Sequence, residues 1–176
     1  MNYLDFIIII LILIPALLNL KRGLLKSIFS LGAIIVGLYI ATRFHQGLVY
    51  ALKKFYYDER VLSIITFCAI IIIIYLIALY FASKISNLNF ITKFVDKVGG
   101  FAFGVLKGLL IASILLLLAN SAKILTQQDK DKSITYPYVV NVAPKVYETI
   151  RVYITGSEKS FMDLNNFFFP DLNINK

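Results

Sequence analysis

The chain has 176 residues, 59% of them hydrophobic and 16% charged, with a mean hydropathy of +0.80 and a formal net charge of +8. Ordinary soluble domains are only ~45–50% apolar, so a water-soluble globular protein is excluded, and the length suits one small bundle with a tail rather than several domains. On so apolar a chain the basic excess suits anionic lipid headgroups; nucleic acid would need a basic face on a soluble fold, and is not expected as a partner.

A bilayer span needs ~20 mostly apolar residues, and four segments approach that length. The first runs from about Leu4 to Leu20 with Pro15 inside it. Proline is tolerated in membrane helices but tends to kink them. Its basic residues, Lys21 and Arg22, follow the apolar run, the reverse of a secretory signal peptide. A retained membrane helix is therefore expected. Asp5 lies near its start, where a carboxylate suits the helix dipole, and Asn19 near its end can bond backbone at the turn.

The turn Lys21-Arg22-Gly23 is so short that the first two segments are expected to form an antiparallel hairpin. The second segment, about Ser27 to Ala41, is short and must borrow from its flanks or sit where the bilayer thins. Its Ala33, Gly37 and Ala41 repeat a small residue every fourth position. From His45 to Tyr57, Leu48, Val49, Leu52, Phe55 and Tyr56 alternate with Lys53 and Lys54, the pattern of an amphipathic helix lying in the interface. His45, the sole histidine, is read as a surface residue of that stretch. The third segment spans about Val61 to Ala82; its lone Cys68 is read as a small apolar side chain.

The fourth segment, about Val98 to Ala119, carries the main signal. Gly100, Gly104 and Gly108 stand four apart, with Asp96 four before the first. Each step of four advances about 400°, so the row forms one slowly drifting groove headed by a carboxylate. Small residues at this spacing let helix backbones approach closely in lipid, either within one chain or between copies. Asp96 can serve the helix dipole, or act as a proton or cation site. Lys107 lies about three turns further on, too far for a direct ion pair with Asp96. It can snorkel to the interface or stand as an ionisable site, as Asp5 also can.

After Lys123 the composition turns polar. Gln127 to Lys132 reads as a solvated break and Pro144 to Ile154 as a short amphipathic helix. Phe167-Phe168-Phe169-Pro170 is an apolar patch that needs a covering surface. Basic residues are nearly balanced between the two sides, but their density in the short first turn favours that turn as cytoplasmic, with both termini outside.

Catalytic signatures are lacking. Gly99 to Gly104 has the first spacing of a phosphate loop but continues as Val105-Leu106, and no nucleophile elbow or clustered metal ligands occur. No enzyme, cofactor or metal is expected.

The chain resembles the colicin V production protein (CvpA) family over roughly Asn2 to Ala119. The residues that carry the likeness are Asn2-Tyr3-Leu4-Asp5, Lys21-Arg22-Gly23-Leu24, Gly32 and Gly37, and above all Asp96 with Gly100, Gly104 and Gly108. Tyr136-Pro137 and Ala143-Pro144 look like the family's C-terminal region, whereas Asn19 stands where members often carry glycine. The resemblance implies a multi-pass protein of the bacterial inner (cytoplasmic) membrane linked to production or export of a peptide toxin and to envelope homeostasis. It implies no catalytic or cofactor residues.

The expected architecture is an all-α integral membrane bundle of four transmembrane helices with interfacial amphipathic helices. Residues 1–125 would form the membrane domain and 126–176 a C-terminal tail outside the bilayer. Two mechanisms fit. One is a scaffold whose glycine faces bind another membrane protein or a second copy. The other is a small oligomeric transporter or channel using Asp96, which needs a polar path between helices.

Overall fold

The computed structural model describes residues 2–52, 58–85 and 93–155. Four long helices follow one another: α1 (Tyr3–Arg22), α2 (Leu24–Leu52), α3 (Glu59–Ile85) and α4 (Lys93–Ser121). Three short ones complete the described chain: α5 (Gln127–Lys132), α6 (Tyr136–Val139) and α7 (Val142–Thr155). Each long helix contains a stretch apolar and long enough to cross a membrane.

Local chemistry explains where the helices begin and end. Asn2 caps α1: its side chain accepts from the Tyr3 N–H at 2.8 Å, while its own N–H donates to Asp5 at 2.8 Å. The two exchange reciprocally, as in a capping box. Gly23 ends α1 with φ +81°, and its N–H closes on the Asn19 carbonyl. Asp58 accepts the N–H groups of Arg60 and Val61 at the start of α3.

The second span differs from its sequence reading. α2 continues without a break from Leu24 through Leu52, so the residues expected to begin an interfacial helix at His45 extend the transmembrane one; residues 53–57 lie outside the described set. Thr42, Arg43, His45 and Gln46 lower the local hydropathy, but none of them breaks a helix. α4 likewise starts earlier than its apolar window. The stretch read as a solvated break is α5, closed by Thr126 and Asp129 in a second capping box.

The helices pack in an order that differs from their order along the chain. α1 lies along α4, α2 lies between α4 and α3, and α1 touches α2 only sparsely. α1 and α2 do run in opposite directions, but α4 takes the place beside α1 that the short turn suggested for α2. Over its apolar window α4 is 56% buried and α3 only 17%, so α4 is the axis of the bundle and α3 its outer wall. The core joins Leu4 and Ile8 of α1, Leu38 and Ala41 of α2, Phe67 of α3, and Ala112 and Leu117 of α4.

The outer surface is equally apolar. Phe6, Ile10, Ile14 and Leu17 form an exposed stripe on α1, and Ile72, Ile73, Leu76 and Ile77 another on α3. Patches of this extent are untenable in water, and lipid satisfies them at no cost.

The tail folds back onto the bundle end where α1 begins. Val139, Val140, Ala143 and Tyr147 enter the same core, and the Tyr147 ring lies 6.0 Å from that of Tyr39. The Phe167–Pro170 patch lies outside the described residues.

Candidate functional site

α4 meets α1 along its glycine row. A Cβ placed on Gly100 would stand 2.6 Å from the Asn19 carbonyl oxygen. On Gly104 it would stand 2.7 Å from the Ala16 Cα and 2.9 Å from the Pro15 carbonyl oxygen, and on Gly108 2.7 Å from the Ile12 carbonyl oxygen. All these neighbours are backbone atoms, so no rotamer change can make room. The row therefore faces α1 of its own chain, and Ile12, Ala16 and Asn19 offer the matching helical face.

At the turn end of this seam Asp96 meets Gly23. The Asp96 carboxylate accepts the Leu24 N–H at 2.6 Å, so the first turn of α4 supplies the cap for α2. One carboxylate thus lies at the N-terminal ends of two helices, where both dipoles favour it. A Cβ on Gly23 would fall 2.5 Å from an Asp96 oxygen. Glycine is required there twice, once for its positive φ and once for the space beside the carboxylate. Gly37 is less tightly placed: a Cβ there would reach Ile71 of α3 at 3.4 Å, ordinary contact.

At the opposite end Asp5 is almost completely buried and gathers the tail. It accepts the Ser133 hydroxyl at 2.7 Å, the Thr135 N–H at 3.0 Å and the Thr135 hydroxyl at 2.5 Å, besides the Asn2 N–H. Nearby, Ser113 of α4 donates to the Val140 carbonyl and accepts the Ala143 N–H, both at 2.9 Å. α4 therefore caps α7 as well as α2. On α5, the Thr126 hydroxyl and then the Tyr3 hydroxyl hold the Asp129 carboxyl below the usual carboxylate range.

Lys107 does not snorkel. It is buried within the bundle, and its ammonium donates to the Tyr75 hydroxyl at 2.6 Å and the Ser30 hydroxyl at 3.4 Å. The same nitrogen lies 4.7 Å from the centre of the Tyr75 ring. Tyr75 and Ser30 carry no local signal in the sequence; only the α2–α3–α4 packing reveals them. His45 also departs from its surface reading. It is buried, its Nδ1 contacts the Ala41 carbonyl at 2.9 Å, and its ring meets Phe67 edge-on.

The three ionisable candidates are not brought together. Asp5 sits at one end of the bundle, Asp96 at the other, and Lys107 between them, each with separate partners. Among the described residues no group of His, Cys, Asp and Glu could hold a metal ion.

The fold and this seam define an all-helical, multi-pass membrane protein built around one glycine-faced central helix. The family described as colicin V production protein matches residues 4–144, and the chain belongs to that family. It is similar to a colicin V production protein homolog of Haemophilus influenzae, with 29% identity over 127 residues covering 71% of this chain and 77% of the relative. No solved structure matches.

Proposed function

We propose that this protein is a non-enzymatic scaffold of the bacterial inner membrane that supports toxin production or export and envelope homeostasis. The family membership supports the biological setting. The observation that carries the scaffold over the transporter is the use of Asp96. Its carboxylate is committed to the Leu24 N–H beside Gly23, where it organises two helix ends, rather than standing free in a polar path. The glycine row is spent on α1 of the same chain, so partners would meet the lipid-facing stripes of α1 and α3 instead.

The test is complementation of a deletion strain grown under detergent-like envelope stress, with each variant normalised to its level in the membrane. The scaffold predicts near-full rescue by Asp96→Asn, which keeps an acceptor oxygen for Leu24, and failure of Leu76→Ala on the outer stripe of α3 at normal abundance. Loss of rescue by Asp96→Asn at normal abundance would instead mark a working ionisable group and return the transporter.

A further inference from the structure

Between α1, α3 and α4 lies a cavity of about 390 Å³, within the ~300–1,000 Å³ range of small-molecule sites. Its two ends differ. Lys107, Tyr75 and Asn19 bound one end, and Cys68, Ile114 and Leu118 bound the other. Lys107 and Leu118 are eleven residues apart on α4, about 16 Å along its axis. The slot is therefore elongated, polar at one end and apolar along the rest. Its rim is lipid-facing: Leu18, Ile72 and Leu115 line it and are each between 43% and 56% exposed.

The polar end has donors without acceptors. A lysine ammonium has three N–H groups, and Tyr75 and Ser30 take two of those on Lys107. The Asn19 side-chain nitrogen is buried without a hydrogen-bond partner, although the residue is only 1% exposed. Among the described residues no carboxylate pairs with the lysine. The acidic residues between 2 and 155 are Asp5, Asp58, Glu59, Asp96, Asp129, Asp131 and Glu148, all at helix starts or in the tail. A lysine at mid-membrane depth is costly unless it is paired, and an unfilled donor cluster there calls for an anion.

We infer that this cavity binds a single-tailed anionic amphiphile that enters sideways from the bilayer. Its anionic head lies against Lys107 and Asn19, and its tail runs along Ile114 toward Leu118 and Cys68. The head chemistry is an oxyanion, either the carboxylate of a fatty acid or a phosphate monoester.

The experiment uses the full-length protein purified in neutral detergent and a 16-carbon fatty acid with a photoreactive diazirine at its far end. Crosslinks are expected on the Cys68 and Ile114–Leu118 peptides, competed by palmitate and not by hexadecanol. Lys107→Met should lower labelling about tenfold, the cost of one charge-assisted hydrogen bond, while Lys107→Arg retains most of it. Cys68→Phe, which fills the apolar end and leaves the lysine, should also abolish labelling. Stronger competition by hexadecyl phosphate than by palmitate would assign the head as phosphate; the reverse would assign a carboxylate. Equal competition by hexadecanol, or label spread over the outer faces of α1 and α3, would overturn the site. So would wild-type labelling of a folded Lys107→Met. Should both variants fail to fold, the palmitate-against-hexadecanol comparison on the unaltered protein decides alone.

Discussion

Gly104 has no room for one more carbon. Its Cβ would press on the Ala16 Cα and the Pro15 carbonyl together, both of them backbone. Gly104→Ala should therefore cost about 1–3 kcal/mol, the usual range for overpacking, and lower the melting temperature of the purified protein. Gly104→Leu should keep the protein from accumulating at all. Gly32 is the control: a Cβ there meets nothing within 4 Å, so Gly32→Ala should melt at or above the wild type. At the turn, Gly23→Ala combines a strained φ with a clash against Asp96 and should be more damaging than Asp96→Asn, which weakens the cap by about 1 kcal/mol. Thermal unfolding of the variants in one detergent ranks them. The glycine row was readable because its message is local: a spacing of four means one helix face whatever lies opposite. What lies opposite was not readable. Nothing in the sequence near Asp96 names Leu24, and nothing near Lys107 names Tyr75, because those pairings are separated by 72 and 32 residues and exist only once the helices pack.

The same division holds for whole helices. Hydropathy located all four spans, since lipid selects for apolar length, yet it cut α2 short at Ala41. The helix continues because its backbone hydrogen bonds can continue, and burial of His45 against Phe67 holds that extension to α3. The tail shows the opposite failure. Its amphipathic pattern revealed α7, but the groups that hold the tail are single polar side chains on α1 and α4, and such side chains leave no periodic trace. Asp5 and Ser113 are those groups, and their loss should release the tail while leaving the bundle intact. Asp5→Ala removes the single oxygen, Oδ1, on which the Ser133 hydroxyl and the Thr135 N–H and hydroxyl all converge. Ser113→Ala removes both the acceptor for the Ala143 N–H and the donor to Val140. Each should cost about 1–3 kcal/mol locally, since the buried partners are left unpaired. Hydrogen exchange should quicken over 126–155 in both variants with α4 unchanged. Equal protection of tail and bundle in Asp5→Ala would show that the apolar contacts of Ala143 and Tyr147 suffice. Asp129 adds a pH dependence to the same region. Its carboxyl is held below the ordinary range by Thr126 and Tyr3, so the ionised form is the one the folded tail favours. That contribution is present above the unfolded value of ~3.9 and is lost as pH falls through the lower folded value, so acid should loosen α5 first.

At the scale of the molecule, α4 ties the two ends of the bundle together. From one end it caps α2 through Asp96, and from the other it caps α7 through Ser113, with the seam to α1 between. Because α1 and α4 are antiparallel, the Gly23–Asp96 cluster and the Asp5–Ser133 cluster must lie at opposite ends of the spans. The Lys21-Arg22 turn and Lys97 share the first end, and α5, α6 and the start of α7 share the second. The density of basic residues in the short first turn predicts that this end faces the cytoplasm. Single cysteines test this directly. In a Cys68→Ala background, Lys26→Cys and Lys97→Cys should resist a membrane-impermeant maleimide in intact cells with a permeabilised outer membrane, whereas Lys130→Cys should react. Lysis should make all three react. Reaction of Lys26→Cys in intact cells with protection of Lys130→Cys would invert the orientation without altering the fold. Reaction of Lys26→Cys and Lys130→Cys together would contradict the antiparallel seam itself, because no helix joined to α1 through Gly100, Gly104 and Gly108 can bring both clusters to one side.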